Sequence, residues 1–314
     1  MSETRSRSLA GLILPLAVGG IVLAGYYVYW TQTAQRIQMH VAQALPALPQ
    51  ENVTVTGFPY RFEARITGFR VQTGTGFVFE ASRFVAVASP FNLNLWALEG
   101  ALEPQLKLPG GPLRPLQATD LKASLRLKEG QLARFSLTFQ GLQAGTADPS
   151  GSGSGSGLGP RPWRTGAGAL HLIADPKDAS RLAFALDLSA LELSALPEGP
   201  AAILGNKIEH LRLTGPISQG QTLLRSTKAW AKAQGEFTIM AAQIDWGPLS
   251  FDGGTGRLKI TPEGQWQGEI RGQGALKPNG MAIPALSAPI EIGIEDGQAR
   301  LLGFSAARVP KAFN

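Results

Sequence analysis

The clearest pattern of apolar and polar positions lies in residues 230–277. Apolar side chains take alternate positions in short runs separated by breaks rich in Gly and Pro. The alternating residues are Phe237, Ile239 and Ala241, then Ile244 and Trp246, Leu249 and Phe251, and Leu258 and Ile260. Alternation with a period of two between turn residues is typical of strands with one buried and one solvated face. The segment therefore predicts an antiparallel meander.

The same alternation starts at Val53 and returns through most of the chain. It predicts further strands at residues 53–55, 62–71, 77–87, 101–108, 118–128, 132–139, 181–188 and 208–214. The chain closes in a predicted hairpin, residues 290–294 and 299–304, whose turn is Asp296-Gly297. Since the sequence contains 38 Gly and 22 Pro, breaks are frequent, and many short strands are favoured over long helices.

Two stretches have helical spacing or composition instead. Residues 221–234 place apolar side chains on one side of a helix, and Gly235 is suited to end that helix. We expect one amphipathic helix over residues 223–233. A second, short helix is expected at residues 197–204.

The N-terminal region contains an uncharged stretch, residues 9–30. It ends in a cluster of aromatic residues, Tyr26, Tyr27, Tyr29 and Trp30. A bilayer core of about 30 Å needs about 20 apolar residues in a helix, and aromatic rings suit the membrane interface. A cleaved signal peptide is the alternative, but bulky aromatic residues stand where small residues should precede a cleavage site. We therefore expect a retained transmembrane anchor.

The charges beside this anchor predict its orientation. Arg5 and Arg7 precede it, so the positive-inside rule makes residues 1–8 a cytoplasmic tail. The predicted location is the bacterial inner membrane, with a single pass and a C-terminal domain in the periplasm. Apolar residues in 31–45 keep helical spacing, so this segment is predicted to extend the membrane helix as a helical stalk. Residues 46–314 are predicted to form the periplasmic β-rich domain.

A stretch rich in Gly and Ser, residues 145–162, interrupts this domain. It cannot bury apolar surface, so it predicts a flexible loop. The loop either separates two domains or joins two strands of one sheet, and the second alternative is favoured because the strand pattern resumes directly after it. The expected fold is mainly β: an elongated, curved antiparallel sheet with one or two packed helices, plus the N-terminal transmembrane helix.

Composition and charge narrow the class of partner. Charged residues make up 17% of the chain, below the roughly 25% of ordinary soluble domains. The net charge is +6, but no run of three basic residues occurs. Nucleic-acid binding needs clustered Lys and Arg, so no nucleic-acid partner is expected. The chain has no Cys, which excludes disulfides and thiolate chemistry.

The sequence shows no constellation typical of catalysis or metal binding. The three histidines, His40, His171 and His210, lie far apart and lack HExxH or HxH spacing. Motifs for a nucleophile elbow, a phosphate loop or dinucleotide binding are missing too. We expect no enzyme, no cofactor and no metal. A dispersed site stays an alternative, which a polar cleft with converging acids or histidines would favour.

Aromatic residues in the meander suggest a different kind of site. The candidates for an apolar groove are Phe237, Trp246, Phe251 and Trp266, which alternate toward the predicted inner face. Core packing is the competing interpretation at each position, because a Trp buries a large apolar area and needs one hydrogen bond.

Several motifs occur in an order that is typical of one family. They are Gly57-Phe58-Pro59-Tyr60-Arg61, Ser89-Pro90-Phe91-Asn92, Ala229-Trp230, and the six residues Ile244-Asp245-Trp246-Gly247-Pro248-Leu249. Together with the predicted anchor, they resemble the proteobacterial family of domain of unknown function 2125, DUF2125. A looser similarity, at the level of the fold, links the strand repeats to the AsmA/TamB-like envelope proteins, whose curved sheets are associated with lipid movement.

These resemblances imply a function but no catalytic residue. The first hypothesis is a membrane-anchored periplasmic protein that binds lipid or supports envelope biogenesis through an apolar β-groove. Its partners would be the inner membrane, through residues 9–30, and a lipid ligand. The alternative is a structural or scaffold protein with a closed core that binds an envelope protein partner.

Overall fold

A computed structural model describes residues 10–45, 48–72, 77–107, 113–145, 163–178, 180–193, 204–276, 286–295, 298–301, 304–308 and 311. Within these residues the helices are α1 (Ala10–Ala44), α2 (Gly220–Arg225) and α3 (Thr227–Lys232), and Gln50–Asn52 form a short 3-10 turn. The strands in the first half are β1 (Val53–Thr56), β2 (Phe62–Gln72), β3 (Val78–Ser89), β4 (Asn92–Leu102), β5 (Gln105–Lys107), β6 (Leu113–Gln117), β7 (Asp120–Lys128) and β8 (Gln131–Ala144). Those in the second half are β9 (Trp163–Ala174), β10 (Leu182–Leu193), β11 (Lys207–Ile217), β12 (Glu236–Trp246), β13 (Leu249–Ile260), β14 (Trp266–Leu276), β15 (Leu286–Glu295), β16 (Gln298–Leu301) and β17 (Phe304–Arg308).

All of these strands belong to one antiparallel sheet with meander connections. Strands β1 to β4 pair in sequence, β4 pairs with β7, and β7 to β17 again pair in sequence. Strands β5 and β6 form a short hairpin. Strand β5 also pairs with β3, and β6 also pairs with β8, so the hairpin lies between β3 and β8 next to the paired strands β4 and β7. The predicted antiparallel, mainly β fold is confirmed.

Several predicted strand boundaries shift because turns intervene. The expected strand at 101–108 divides between the end of β4 and β5, and Glu103, between them, has a left-handed φ of 51°. The predicted closing hairpin is present as β15 and β16, although its turn, residues 296–297, lies outside the described residues. The two strands that flank the Gly/Ser-rich stretch, β8 and β9, are hydrogen-bonded neighbours. Most of that stretch and of the expected 197–204 helix lies outside the described residues.

Helix α1 is continuous through the expected anchor and stalk, and its C-terminal half packs against the sheet. Gln38 Nε2 donates hydrogen bonds to the carbonyl oxygens of Gln50, at 3.3 Å, and of Val53, at 2.8 Å. The region expected to be a stalk is thus attached at Gln38 to the start of the sheet. Among the described residues, no helix combines the length and apolarity needed to cross a membrane.

The predicted amphipathic helix at 223–233 forms two helices rather than one. Ser226 interrupts it with an extended backbone, φ −159° and ψ 114°. Its hydroxyl oxygen accepts a hydrogen bond from the Ala229 backbone N–H at 3.2 Å. A serine at this position provides the hydrogen-bond acceptor that an N–H group at the start of a helix needs. Helix α3 is therefore a separate helix that starts after Ser226.

Candidate functional site

One face of the sheet is apolar across most of its strands. Residues directly opposite each other on neighbouring strands project from the same face. One such row runs through Ala64, Ala86, Leu98, Ala123, Leu137, Leu170, Leu186, Leu213 and Ala242. The next row runs through Phe62, Ala88, Trp96, Leu125, Phe135, Leu172 and Phe184. We call this surface the apolar face.

Helix α1 covers the apolar face at the first strands. Trp30 stacks on Phe62 with ring centroids 5.1 Å apart, and Phe62 is completely buried. Tyr26, Ile37, Val55, Leu93 and Trp96 pack around this pair. The aromatic cluster expected at a membrane interface is therefore partly used to attach α1 to the sheet.

The helix pair α2–α3 covers another end of the apolar face, where two of the candidate groove residues lie. Trp230 is completely buried and donates its Nε1 hydrogen to the Ser218 carbonyl oxygen at 2.7 Å. Phe237 meets the Trp230 ring edge-on at 5.2 Å and lies 5.8 Å from the ring of Trp266. Phe237 and Trp266 are thus half-buried beneath and beside these helices.

The other two candidates belong to a second cluster, on β12 to β15. Phe251 is completely buried, with Leu204, Ile239 and Ile270 among its buried neighbours. Trp246 packs half-buried at the edge of this cluster and donates from Nε1 to the Gly205 carbonyl oxygen at 2.9 Å. The four candidates therefore share one face but divide between two packed clusters.

The middle of the apolar face has a different character. Most of its side chains are half-buried, and none of these belongs to the buried clusters of the described residues. Phe139, opposite Leu121 in the strand register, is buried at 8% exposure. The half-buried residues are Leu98, Leu121, Ala123, Leu125, Phe135, Leu137, Leu170, Leu186 and Leu188. We call these residues the central strip. Five strands at about 4.8 Å spacing give it a length of about 19 Å.

The central strip was missed as a candidate site, although its signal is present in the sequence. Strand β10 alternates as cleanly as the closing meander, with Leu182, Phe184, Leu186 and Leu188. Alternation indicates which residues share a face, but it carries no information about what lies on that face. Only the packing of the helices distinguishes the covered ends from the middle.

The opposite face carries a polar cleft of about 470 Å³. Alanines on β9 and β10 form part of its lining, and polar side chains around it include Asp120, His171, Asp187 and Arg212. Asp187 Oδ1 lies 3.1 Å from His210 Nε2. Two of the three histidines thus come to one region of the sheet, whereas His40 lies on α1.

The residues around this His–Asp pair do not form a nucleophile–base arrangement. Ser189 lies opposite His210 in the strand register, but its hydroxyl is used by the Ala167 backbone. It accepts from the Ala167 N–H at 3.2 Å and donates to the Ala167 carbonyl at 3.3 Å. An activated serine needs a hydrogen bond to its base. Across the described ranges, no three His, Asp or Glu side chains are grouped to hold a metal ion.

A buried carboxylate lies next to the attachment of α1. Glu63 is 6% exposed, and Arg61 and Arg65 each form an ion pair with it at 2.6 Å. The hydrogen bond from Arg65, together with the positive charges of Arg65 and Arg61, lowers the pKa of the Glu63 carboxyl. Burial opposes this shift but does not reverse it. The group therefore stays ionised near neutral pH.

Comparison with known sequences identifies a family for this fold. The sequence matches the family described as "Uncharacterized protein conserved in bacteria" (DUF2125) over residues 47–275. The chain belongs to the DUF2125 family. The expected family is thus confirmed, whereas the looser similarity to AsmA/TamB-like proteins is not shown and stays a prediction. No curated protein and no solved structure matches the chain.

The motifs that suggested DUF2125 all lie within the matched residues, and the structure gives each a packing role. The turn at 57–61 and the turn at 89–92 both contact α1, through hydrogen bonds from Tyr26, Tyr29 and Trp30. Trp230 fills the core beneath the helix pair. The motif at 244–249 forms the β12–β13 turn, where a Cβ on Gly247 would meet the Leu204 carbonyl oxygen at 2.2 Å.

Proposed function

We propose that this DUF2125 protein is a membrane-anchored envelope protein that holds the acyl chains of a lipid on its central strip. The observation that carries the proposal is the central strip itself: aligned apolar side chains, half-buried, between two ends that helices cover. Each methylene removed from water on such a surface contributes about 0.8 kcal/mol. About ten methylenes would offset a large part of the free-energy cost of association.

The surroundings of α1 support the membrane anchor. Every described side chain from Leu16 to Gly25 is exposed, including Leu16 at 69% and Ile21 at 72%. No charged residue occurs from Leu9 to Gln35. An exposed, uncharged part of a helix that packs against no protein is stable when lipid surrounds it. The proposed location is the bacterial inner membrane, with the sheet on the periplasmic side.

The position of α1 also supports a lipid ligand. Its aromatic residues pack on Trp96 of β4, and Trp96 lies next to Leu125 of the central strip in the strand register. The anchor would therefore keep one end of the strip beside the bilayer that supplies the lipid. In this proposal the sheet is elongated and curved, so that the apolar face is concave toward the acyl chains.

Photo-crosslinking from neighbouring residues tests the lipid proposal. A benzophenone amino acid replaces Leu137, on the central strip, in the full chain in its native membrane. Replacing the next residue, exposed Thr138, gives a control on the opposite face of β8. Illumination should attach an acyl lipid, identified by mass spectrometry, at position 137 and not at position 138.

The alternative function is a scaffold that binds an envelope protein. The completely buried Phe251 and its cluster favour it, because they show that part of the apolar face is closed core. Crosslinking of position 137 to a protein instead of a lipid would support this alternative and refute the lipid proposal. Equal lipid labelling at 137 and 138 would also refute a specific lipid site on the strip.

A further inference from the structure

Two separate turns of the sheet are attached to the same short stretch of α1. Tyr26 Oη donates a hydrogen bond to the Pro59 carbonyl oxygen, and Trp30 Nε1 donates to the Arg61 carbonyl oxygen at 3.3 Å. Tyr29 Oη donates to the Pro90 carbonyl oxygen at 3.0 Å. The turns at 57–61 and 89–92, called here the paired turns, are therefore held at the level of residues 26–30 of the helix.

Each of the paired turns carries an aromatic ring that is almost fully exposed. Tyr60 is 87% exposed and Phe91 is 88% exposed. The turn around Phe91 is fixed, since its backbone N–H donates to Ser89 Oγ at 3.3 Å. A cleft of about 330 Å³ lies between the turns, lined by Tyr60, Leu95 and Ala97 among others. Exposed apolar groups that are contiguous mark an interaction surface.

The level of these rings matches the end of the proposed anchor. A helix rises about 1.5 Å per residue, so Trp30 lies about 30 Å from Ala10 along α1, which is the thickness of a bilayer core. Apart from Met39, the large exposed apolar residues of α1 lie at that level or on its N-terminal side. The paired turns would thus stand where hydrocarbon gives way to head groups, the region that aromatic side chains favour.

The charge beside the paired turns suits the same environment. Arg61 and Arg65 share one carboxylate, Glu63, so these three groups together carry one net positive charge. Both guanidinium groups remain about half exposed, at 52% and 49%. Basic side chains near a membrane surface are attracted to anionic lipid head groups.

We propose that Tyr60 and Phe91 insert into the interfacial layer of the bilayer that α1 enters. The sheet is then docked on the membrane at its β1–β4 end instead of being held away from it by a stalk. This inference rests on the proposed function for one point, the assignment of α1 as the anchor. It adds a second membrane contact, which fixes the orientation of the sheet.

Spin labels in the full chain, reconstituted in vesicles of phosphatidylethanolamine and phosphatidylglycerol, test this contact. Because the chain contains no Cys, each introduced Cys is the only labelling site. The test variants are Tyr60→Cys and Phe91→Cys. The matched control is Leu102→Cys, since Leu102 is 52% exposed and lies at the other end of β4. Ten residues of strand separate it from Asn92 by about 33 Å.

Collision rates with oxygen, which concentrates in lipid, and with a water-soluble nickel chelate give the result. The oxygen-to-nickel ratio should be several-fold higher at positions 60 and 91 than at position 102. Equal ratios at the three positions would overturn the proposal. Dipolar coupling between labels at position 91 of different chains would place a second copy on the turns and would overturn it as well.

A fourth variant separates this inference from the proposed anchor. Ile21→Cys places a label on the exposed apolar part of α1. A lipid-exposed label at 21 with water-exposed labels at 60 and 91 would refute only the docking of the paired turns. A water-exposed label at 21 would refute the anchor, and the docking with it.

Discussion

Trp30 of α1 and Phe62 of β2 stack with an interplanar angle of 14° and ring centroids 5.1 Å apart. Trp30 comes from the aromatic end of the uncharged stretch, and Phe62 opens the first long strand. Both are buried, at 8% and 0% exposure. The pair joins the proposed membrane anchor to the sheet, so that the orientation of one fixes that of the other.

Truncation of this pair should loosen α1 from the sheet. Trp30→Ala should lower the free energy of unfolding by about 3 kcal/mol, the loss typical of a buried Trp. Val28→Ala is the control, since Val28 is 51% exposed on the same helix and should change little. Chaotrope unfolding of the full chain in detergent, followed by fluorescence, measures both. Equal stability of the two variants would contradict the stacked geometry.

The buried ring of Phe251 depends on glycines that leave room for it. A Cβ on Gly272 would lie 2.6 Å from Phe251 Cζ and 2.9 Å from the Asp252 carbonyl oxygen. Gly272→Ala should therefore destabilise the protein by about 1–3 kcal/mol through overpacking. At Gly293, on the neighbouring strand β15, a Cβ would meet nothing within 4 Å. Thermal unfolding of Gly293→Ala should show a much smaller change, and the reverse order would refute this packing.

The serine between α2 and α3 should contribute to stability through one hydrogen bond. Removal of the hydroxyl in Ser226→Ala leaves the Ala229 N–H without its partner and should lower the free energy of unfolding by about 1 kcal/mol. Ser226→Thr keeps the acceptor oxygen and should retain most of the stability. Urea titration distinguishes them; a stable Ser226→Ala variant would argue for one continuous helix.

The arginine pairs of Glu63 predict a pH dependence of stability. Because its folded-state pKa is lowered, its contribution is complete above the unfolded value of about 4.3. The contribution is lost as the pH falls through the folded value. Its size is about 1 kcal/mol, since the half-exposed guanidinium groups are screened by water.

Glu63→Gln tests this dependence because the amide keeps the shape and lacks the charge. It should be less stable than the original chain at pH 7, and the difference should shrink as the pH is lowered below 4.3. Denaturant unfolding at several pH values provides the comparison. A difference that stays constant into acid would show that the ionisation of Glu63 does not contribute.

Much of the architecture is determined locally and could be predicted. The alternation of Leu182, Phe184, Leu186 and Leu188 indicates a strand because side chains of a strand project to opposite faces with a period of two. Gly235 and the turn glycines indicate breaks for equally local reasons. The division of α2 from α3 was missed because the apolar spacing continues across Ser226. The break depends on the hydrogen bond that the Ser226 side chain accepts from the Ala229 N–H, with Ser226 in an extended conformation.

The candidate site was predictable only in part. Phe237 and Trp246 lie an odd number of positions apart on β12, and they share the apolar face only because the register shifts between Ile239 and Ile244. Which of these side chains are covered depends on residues distant in sequence, such as Leu204 and Trp230. Burial by a distant segment leaves no periodic signal at the position that is buried.

The sequence by itself determined the antiparallel strands, the helical spacing of the N-terminal region and the DUF2125 family motifs. Those features depend on neighbours along the chain. The tertiary structure decided that α1 attaches to the paired turns, that Glu63 lies between two arginines, and that helices cover the ends of the apolar face but not the central strip. These relationships depend on which distant segments pack together. The local pattern of apolar and polar residues is compatible with many arrangements of the same helices and strands, so it does not determine their packing.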